Sequence, residues 1–156
     1  MARYEDKLSH FFECLENGSS DKETSESLKQ FREIFYDYYF IIHRWAWGWK
    51  LYIFMTNVGI VQLCFEDDHP EQAWITDLLV AKSSRRIGIG RELLKICEKT
   101  AILLHVSKLS LWADSSSWVV DWYQREGFCI TTDYRDIYGH CYLEKQLNQQ
   151  DDHGKI

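Results

Sequence analysis

Residues 74–94, WITDLLVAKSSRRIGIGRELL, constrain the fold more than any other stretch of this chain. Residues 75–80 are an apolar run of strand length, 81–84 a small polar connector, and R-R-I-G-I-G at 85–90 leads straight into a helical pattern. From Arg91 onward, Leu93, Leu94, Cys97, Ala101 and Leu104 recur at three- and four-residue spacing, so one stripe of the helix is apolar and packs on a sheet. Strand, glycine turn, helix is an order that leaves the first helical amides without carbonyl partners and aims them at the loop. Those amides and the positive end of the helix dipole form an anion site. Gly88 and Gly90 let a phosphate reach the main chain, and Arg85, Arg86 and Arg91 add full positive charge.

The turn matches neither G-x-x-x-x-G-K-[ST] nor the three-glycine dinucleotide fingerprint. Its form, R-x-x-G-x-G after L-L-V at 78–80, resembles the acetyl-coenzyme A loop of the GCN5-related N-acetyltransferases (GNAT). A second segment, D-W-Y-Q-R-E-G-F at 121–128, resembles that family's aromatic-Tyr-x-x-x-Gly-Phe segment. The two stand in the family's order and separation, with a strand at 108–113 between them, and the resemblance covers residues 58–147.

The resemblance implies an α/β (α+β) fold: a mixed, mostly antiparallel sheet flanked by helices and splayed at its central strand for coenzyme A. It also implies direct transfer of an acetyl group from acetyl-coenzyme A, as co-substrate, to a primary amine. The pyrophosphate would rest on the main chain of Arg86, Ile87, Gly88, Ile89, Gly90 and Arg91, with Arg85 beside it, and the pantetheine arm along Leu78, Leu79 and Val80. Tyr123 aligns with the tyrosine that protonates the thiolate leaving group, a role a phenol of ordinary pKa about 10 can fill. There are three departures from the family pattern. Arg86 replaces a glycine that often follows the first arginine, Lys82 and Ser83 stand where proline is common, and Ser116 holds the place of a frequent asparagine. For the base there are two sources: Asp77 in the strand, or Glu66, Asp67, Asp68 and Glu71 in the acidic loop before it. Simple alternation puts Asp77 on the face of Ile75 and Leu79.

Charge and cysteine usage narrow the partners. A net charge of −6 disfavours nucleic acid, which is held by neutralising phosphates, and suits a cationic amine on a small molecule or a protein. Five cysteines without a C-x-x-C pair read as reduced, mostly buried residues of a cytoplasmic protein. Neither they nor the six histidines have metal-ligand spacing, so no metal is predicted. The amino terminus has no signal-peptide core. The most apolar segment, residues 35–54, is interrupted by Asp37, His43, Arg44 and Lys50, so no membrane span is predicted.

The 156 residues predict one domain over 1–147, mainly helical on an acceptor side at 1–44 and sheet plus cofactor core at 45–147, with a polar, disordered tail at 148–156. Helices are predicted at 4–16 and 26–40, the second capped by Ser20 with Glu23 or by Ser25. The chain then turns extended from Trp45, with Trp45, Trp47 and Trp49 alternating on one side. Strands are predicted at 50–56 and 59–65, a hairpin turning at Asn57 and Val58. After the central helix come a strand at 108–113, a short helix at 118–126 capped within 115–117 and stopped by Gly127, and a strand pair at 129–132 and 138–144 around a loop at 133–137. Residues 31–54 hold eleven aromatic side chains. They read as core or a homodimer interface, or as walls of an acceptor pocket. Two rival functions share this sequence: a non-catalytic module that binds coenzyme A and grips a protein, and a transferase of longer acyl groups.

Overall fold

The computed structural model describes residues 4–18 and 21–147. Helix α1 (Tyr4–Asn17) and helix α2 (Lys22–Ile34) precede three antiparallel strands, β1 (Tyr39–Trp45), β2 (Gly48–Met55) and β3 (Gly59–Glu66). Strand β4 (Gln72–Val80), a single 3-10 turn (Lys82–Ser84) and α3 (Ile89–Leu103) follow. The chain closes with β5 (Lys108–Ala113), α4 (Trp118–Arg125), β6 (Cys129–Arg135) and β7 (Cys141–Gln146). No described helix is long and apolar enough to cross a membrane. The polar tail at 148–156 and Ser20 lie outside the described residues.

The strands make one seven-stranded sheet in the order β1-β2-β3-β4-β5-β7-β6. Every neighbouring pair is antiparallel except β4 with β5, which the α3 crossover makes parallel. Trp49, Leu51 and Ile53 of β2, Val61, Leu63 and Phe65 of β3, and Leu109, Leu111 and Leu143 beyond share one buried face. The helices cover that face. The ring of Phe12 in α1 lies 5.0 Å from Trp49 and 5.7 Å from Phe65, and Phe31 of α2 meets Phe11, Phe35 and Phe40. A Cβ on Gly59 would come within 2.8 Å of Leu93 in α3. Lys145 of β7 donates to Glu98 of α3 and to the Glu126 carbonyl at the end of α4, each at 2.8 Å. The four described helices therefore pack on one side of the sheet, and its other face carries no helix.

Three local expectations are revised. The helix expected over 26–40 ends at Ile34, and strand β1 follows from Tyr39, so the sheet begins there and not at 45. Short aromatic runs fit a strand or a helix equally by spacing. Here α2 stops at its cap Phe35, and β1 pairs with β2 from Tyr39↔Phe54 to Trp45↔Gly48. The α2 amino terminus is capped by Asp21, whose carboxylate accepts from the Thr24 amide at 2.8 Å, and Ser25 lies inside the helix. The loop expected at 133–137 begins only after Arg135.

The tryptophan alternation breaks at the β1–β2 turn. Trp49 is buried in the core and donates to Ser9, Trp45 lies under Lys50, and Trp47 in the turn is exposed. Gly48 fixes this corner, because a Cβ there would stand 1.8 Å from the Phe65 carbonyl oxygen.

Candidate functional site

The parallel seam of the sheet is incomplete. Strand β4 pairs with β5 only at Gln72↔Lys108, Ala73↔Leu109 and Trp74↔Ser110, whereas β3 follows β4 through to Val80↔Gly59. Residues 75–80 thus have no strand partner on the β5 side, and a slot opens between the two carboxyl ends. The β3 register jumps from Leu63↔Ile75 to Gln62↔Asp77, which leaves Thr76 as the extra residue of a β-bulge at the start of the slot. Bulges add local twist, and here the two strands part beside one.

The bulge also inverts the alternation. Ile75 is buried while Asp77 is exposed and Leu79 is 62% exposed, and Leu78 and Val80 pack against the core instead. Asp77 stands opposite Gln62 and Trp74 opposite Cys64, both on the helix-free face. The expected grouping of Asp77 with Ile75 is therefore wrong, and an extra residue with no side-chain signature is the reason. Leu79 does share the Asp77 face.

At the open end of β4 the chain makes the glycine turn. Gly88 caps α3 at φ 90, and the first bond of the helix runs from the Glu92 amide to the Gly88 carbonyl. The amides of Arg86, Ile87, Gly88, Ile89, Gly90 and Arg91 donate to no acceptor among the described residues. Six successive unpartnered donors at a helix amino terminus form a concave array for an oxyanion. Arg86 is itself left-handed, at φ 68, a conformation that glycine adopts without steric cost. Gly90 approaches α4 closely: a Cβ would lie 3.4 Å from the Trp122 ring.

The three arginines are not equivalent. Arg85 folds back and donates from Nε to the Val80 carbonyl at 3.0 Å. Arg91 pairs with Glu126 of the α4 cap at 3.0 Å, so its guanidinium ties α3 to α4 while its amide stays open. Arg86 makes no ion pair among the described residues. A cavity of about 310 Å³ adjoins the turn, lined by Tyr38, Gly88, Arg91, Glu92, Lys95, Ile96 and Lys99. Tyr38 donates to Glu92 at 2.9 Å along that wall.

Across the slot, Ser116 lies in the turn after β5, where its amide and hydroxyl both donate to Asp114, at 3.0 and 2.7 Å. Ser117 caps α4 by accepting from Val119. Gly127 ends that segment at φ 102, where a Cβ would also meet Lys145 at 2.9 Å. Tyr123 is 8% exposed, with its ring edge-on to Trp122 and Phe128. Its hydroxyl has no hydrogen-bond partner among the described residues, and burial, then the neighbouring Cys97, pushes its pKa well above the ordinary phenol value.

The acidic loop sits at the other end of β4, where the seam to β5 is closed, and Asp67 there is held by Arg44 in a two-bond pair at 2.9 and 3.1 Å. Trp112, which no motif marks, stands on the helix-free face of β5 two residues past the last pairing with β4. The alternation of Leu109 and Leu111 against Ser110 and Trp112 placed it away from the core and was the available signal.

The sequence pattern described as "Acetyltransferase (GNAT) family" matches residues 9–128. No curated protein matches the sequence. Among solved structures, a GNAT family acetyltransferase from Elizabethkingia anophelis with acetyl-CoA bound is 20% identical, covers 81% of this chain and 85% of its own, and superposes with a TM-score of 0.55. The PaiA N-acetyltransferase from Thermoplasma acidophilum in complex with coenzyme A gives 18% identity, 81% and 71% coverage and a TM-score of 0.53. Tetrahymena GCN5 gives 14%, 65% and 69%, with a TM-score of 0.54. At these identities the structural likenesses speak to fold. With the sequence pattern spanning most of the splayed sheet and its glycine turn, they support one conclusion: the chain belongs to the GNAT family of acetyltransferases.

Proposed function

We propose that this chain is an N-acetyltransferase that carries acetyl from acetyl-coenzyme A directly to a primary amine. The observation that carries the reading is the combination of a strand with no partner on its β5 side over residues 75–80 with the open amides of residues 86–91 at its end. The donor set fits the co-substrate: neutral amides and Arg86 suit a diphosphate, and a free strand edge suits an extended amide-bearing arm. The thioester supplies an activated acyl carbon, and the chain holds it still and manages two protons.

Those protons fall to opposite sides of the sheet. Asp77 stands on the helix-free face and takes the proton of the incoming ammonium. Tyr123 lies among the helices and donates to the departing sulfur. With its pKa raised, Tyr123 stays protonated at neutral pH. So weak an acid stabilises developing thiolate by hydrogen bonding rather than by early proton release. Acceptor entry from one face and leaving-group stabilisation from the other allow transfer without a covalent enzyme intermediate. The acidic loop, distant along β4 and partly ion-paired, is the poorer source of the base.

The test is thiol release from acetyl-coenzyme A over a panel of amines, with Tyr123→Phe beside the parent chain. Turnover falls about a hundredfold or more in the variant, and calorimetric affinity for coenzyme A is retained. Binding without thiol release in either form identifies a non-catalytic module instead. Calorimetry with thioesters of rising chain length reads the acyl limit.

A further inference from the structure

The helix-free face beside the slot is built from rings. Trp74 is the last β4 residue paired with β5, so it stands at the apex of the slot. The residue opposite it, Ser110, is fully buried and small, which lets the Trp74 and Tyr142 rings meet at 5.9 Å over it. Trp112, directly opposite Tyr142 in the β5–β7 register, lies 5.4 Å from it, and Tyr134 continues the row at 6.2 Å. Tyr142 is held in place: its hydroxyl lies 2.9 Å from Ser110 Oγ and donates to Glu144 at 2.9 Å. Trp112 stays 37% exposed and Tyr134 67% exposed. The row therefore runs from the apex of the slot across β5 and β7 to β6 and presents a contiguous aromatic surface.

The charges around this row are few. Glu144 is matched by Lys108 at 3.5 Å and Asp114, beyond Trp112, accepts two bonds from Ser116, whereas Asp77 has neither an ion pair nor a side-chain hydrogen bond among the described residues. One unengaged carboxylate on the same face of β4 as Trp74, three residues further on, suits one ammonium carried on a flat apolar body. An acceptor with its own carboxylate meets Asp77, Asp114 and Glu144 here, and a second ammonium finds Asp114 and Glu144 already engaged.

We propose that Trp74, Tyr142 and Trp112 form the acceptor platform, and that the acceptor is a monoamine with an aromatic ring on a short chain. The assignment rests on the transferase reading for its location. Trp112 is the specificity-determining residue, packing against the acceptor ring, and Asp77 receives the ammonium.

The test uses the full chain with phenylethylamine, its saturated counterpart cyclohexylethylamine, and putrescine, by calorimetry in the presence of coenzyme A and by thiol release from acetyl-coenzyme A. Phenylethylamine binds about three- to tenfold more tightly than either alternative. Trp112→Ala abolishes that preference, Trp112→Phe restores most of it, and coenzyme A affinity is unchanged in both. Equal binding of the saturated amine or putrescine, or a preference that survives Trp112→Ala, overturns the proposal. The two readings fail separately. A ring preference in binding without thiol release upholds the platform and sinks the transferase, and thiol release without ring preference does the reverse.

Discussion

Arg86 is where backbone and charge pull in opposite directions. At φ 68 an L side chain costs about 1–2 kcal/mol relative to the right-handed region, a penalty glycine does not carry. Glycine in turn loosens the unfolded chain by about 0.4–1 kcal/mol relative to alanine. The difference leaves Arg86→Gly more stable than Arg86→Ala by roughly 0.5–1 kcal/mol, or about 1–4 °C in melting temperature for a chain of this length. Both substitutions remove the same exposed guanidinium from beside the open amides of residues 86–91. Both should weaken coenzyme A by about two- to fivefold at low salt, and by less as screening rises. Thermal unfolding of the ligand-free chains reads the first effect, and calorimetry at two salt concentrations reads the second. If Arg86→Gly melts no higher than Arg86→Ala, the left-handed residue is not a source of strain. If both variants bind coenzyme A as tightly as the parent, the Arg86 guanidinium takes no part in holding the diphosphate.

Other consequences are equally direct. Gly48→Ala drives a Cβ into the Phe65 carbonyl, so urea unfolding should show a loss above about 2 kcal/mol, and a change within about 0.5 kcal/mol refutes the corner's geometry. Lys145→Met removes both 2.8 Å bonds that join β7 to α3 and α4; a loss of about 1–3 kcal/mol is expected, with faster amide exchange in α4 than in α1. Tyr38 has its pKa raised to about 12 by burial and by its bond to Glu92. Because the folded value lies above the unfolded one, its contribution is complete below about pH 10 and is lost as pH rises toward about 12. Tyr38→Phe should flatten the fall in stability across that window, and an unchanged slope excludes Tyr38 as its source.

Much of the central motif was readable before folding was considered. The turn's position, the Lys108–Ala113 strand and the Gly127 stop with its φ of 102 follow from short-range rules of apolar spacing, capping and positive φ. Asn57, at φ 57, serves the hairpin as its residue type suggests. Each depends on neighbours within a few positions in the chain. The α2–β1 boundary was misread because Phe35, Tyr38 and Ile42 satisfy helical spacing while Phe40, Ile42 and Arg44 satisfy strand alternation. Only pairing with β2 chooses between them.

The sequence by itself therefore determined a strand, a glycine turn and an amphipathic helix, together with the residues that face a core, because hydrogen-bond geometry and side-chain period are set locally. Tertiary structure decided that β4 leaves β5 after Trp74, that the Thr76 bulge sends Asp77 to the helix-free face, and that Arg91 serves Glu126. It also decided that Trp74, Tyr142 and Trp112 meet over Ser110. Those outcomes join residues up to 68 positions apart, Trp74 to Tyr142, and depend on strand register and sheet twist, which no local pattern encodes.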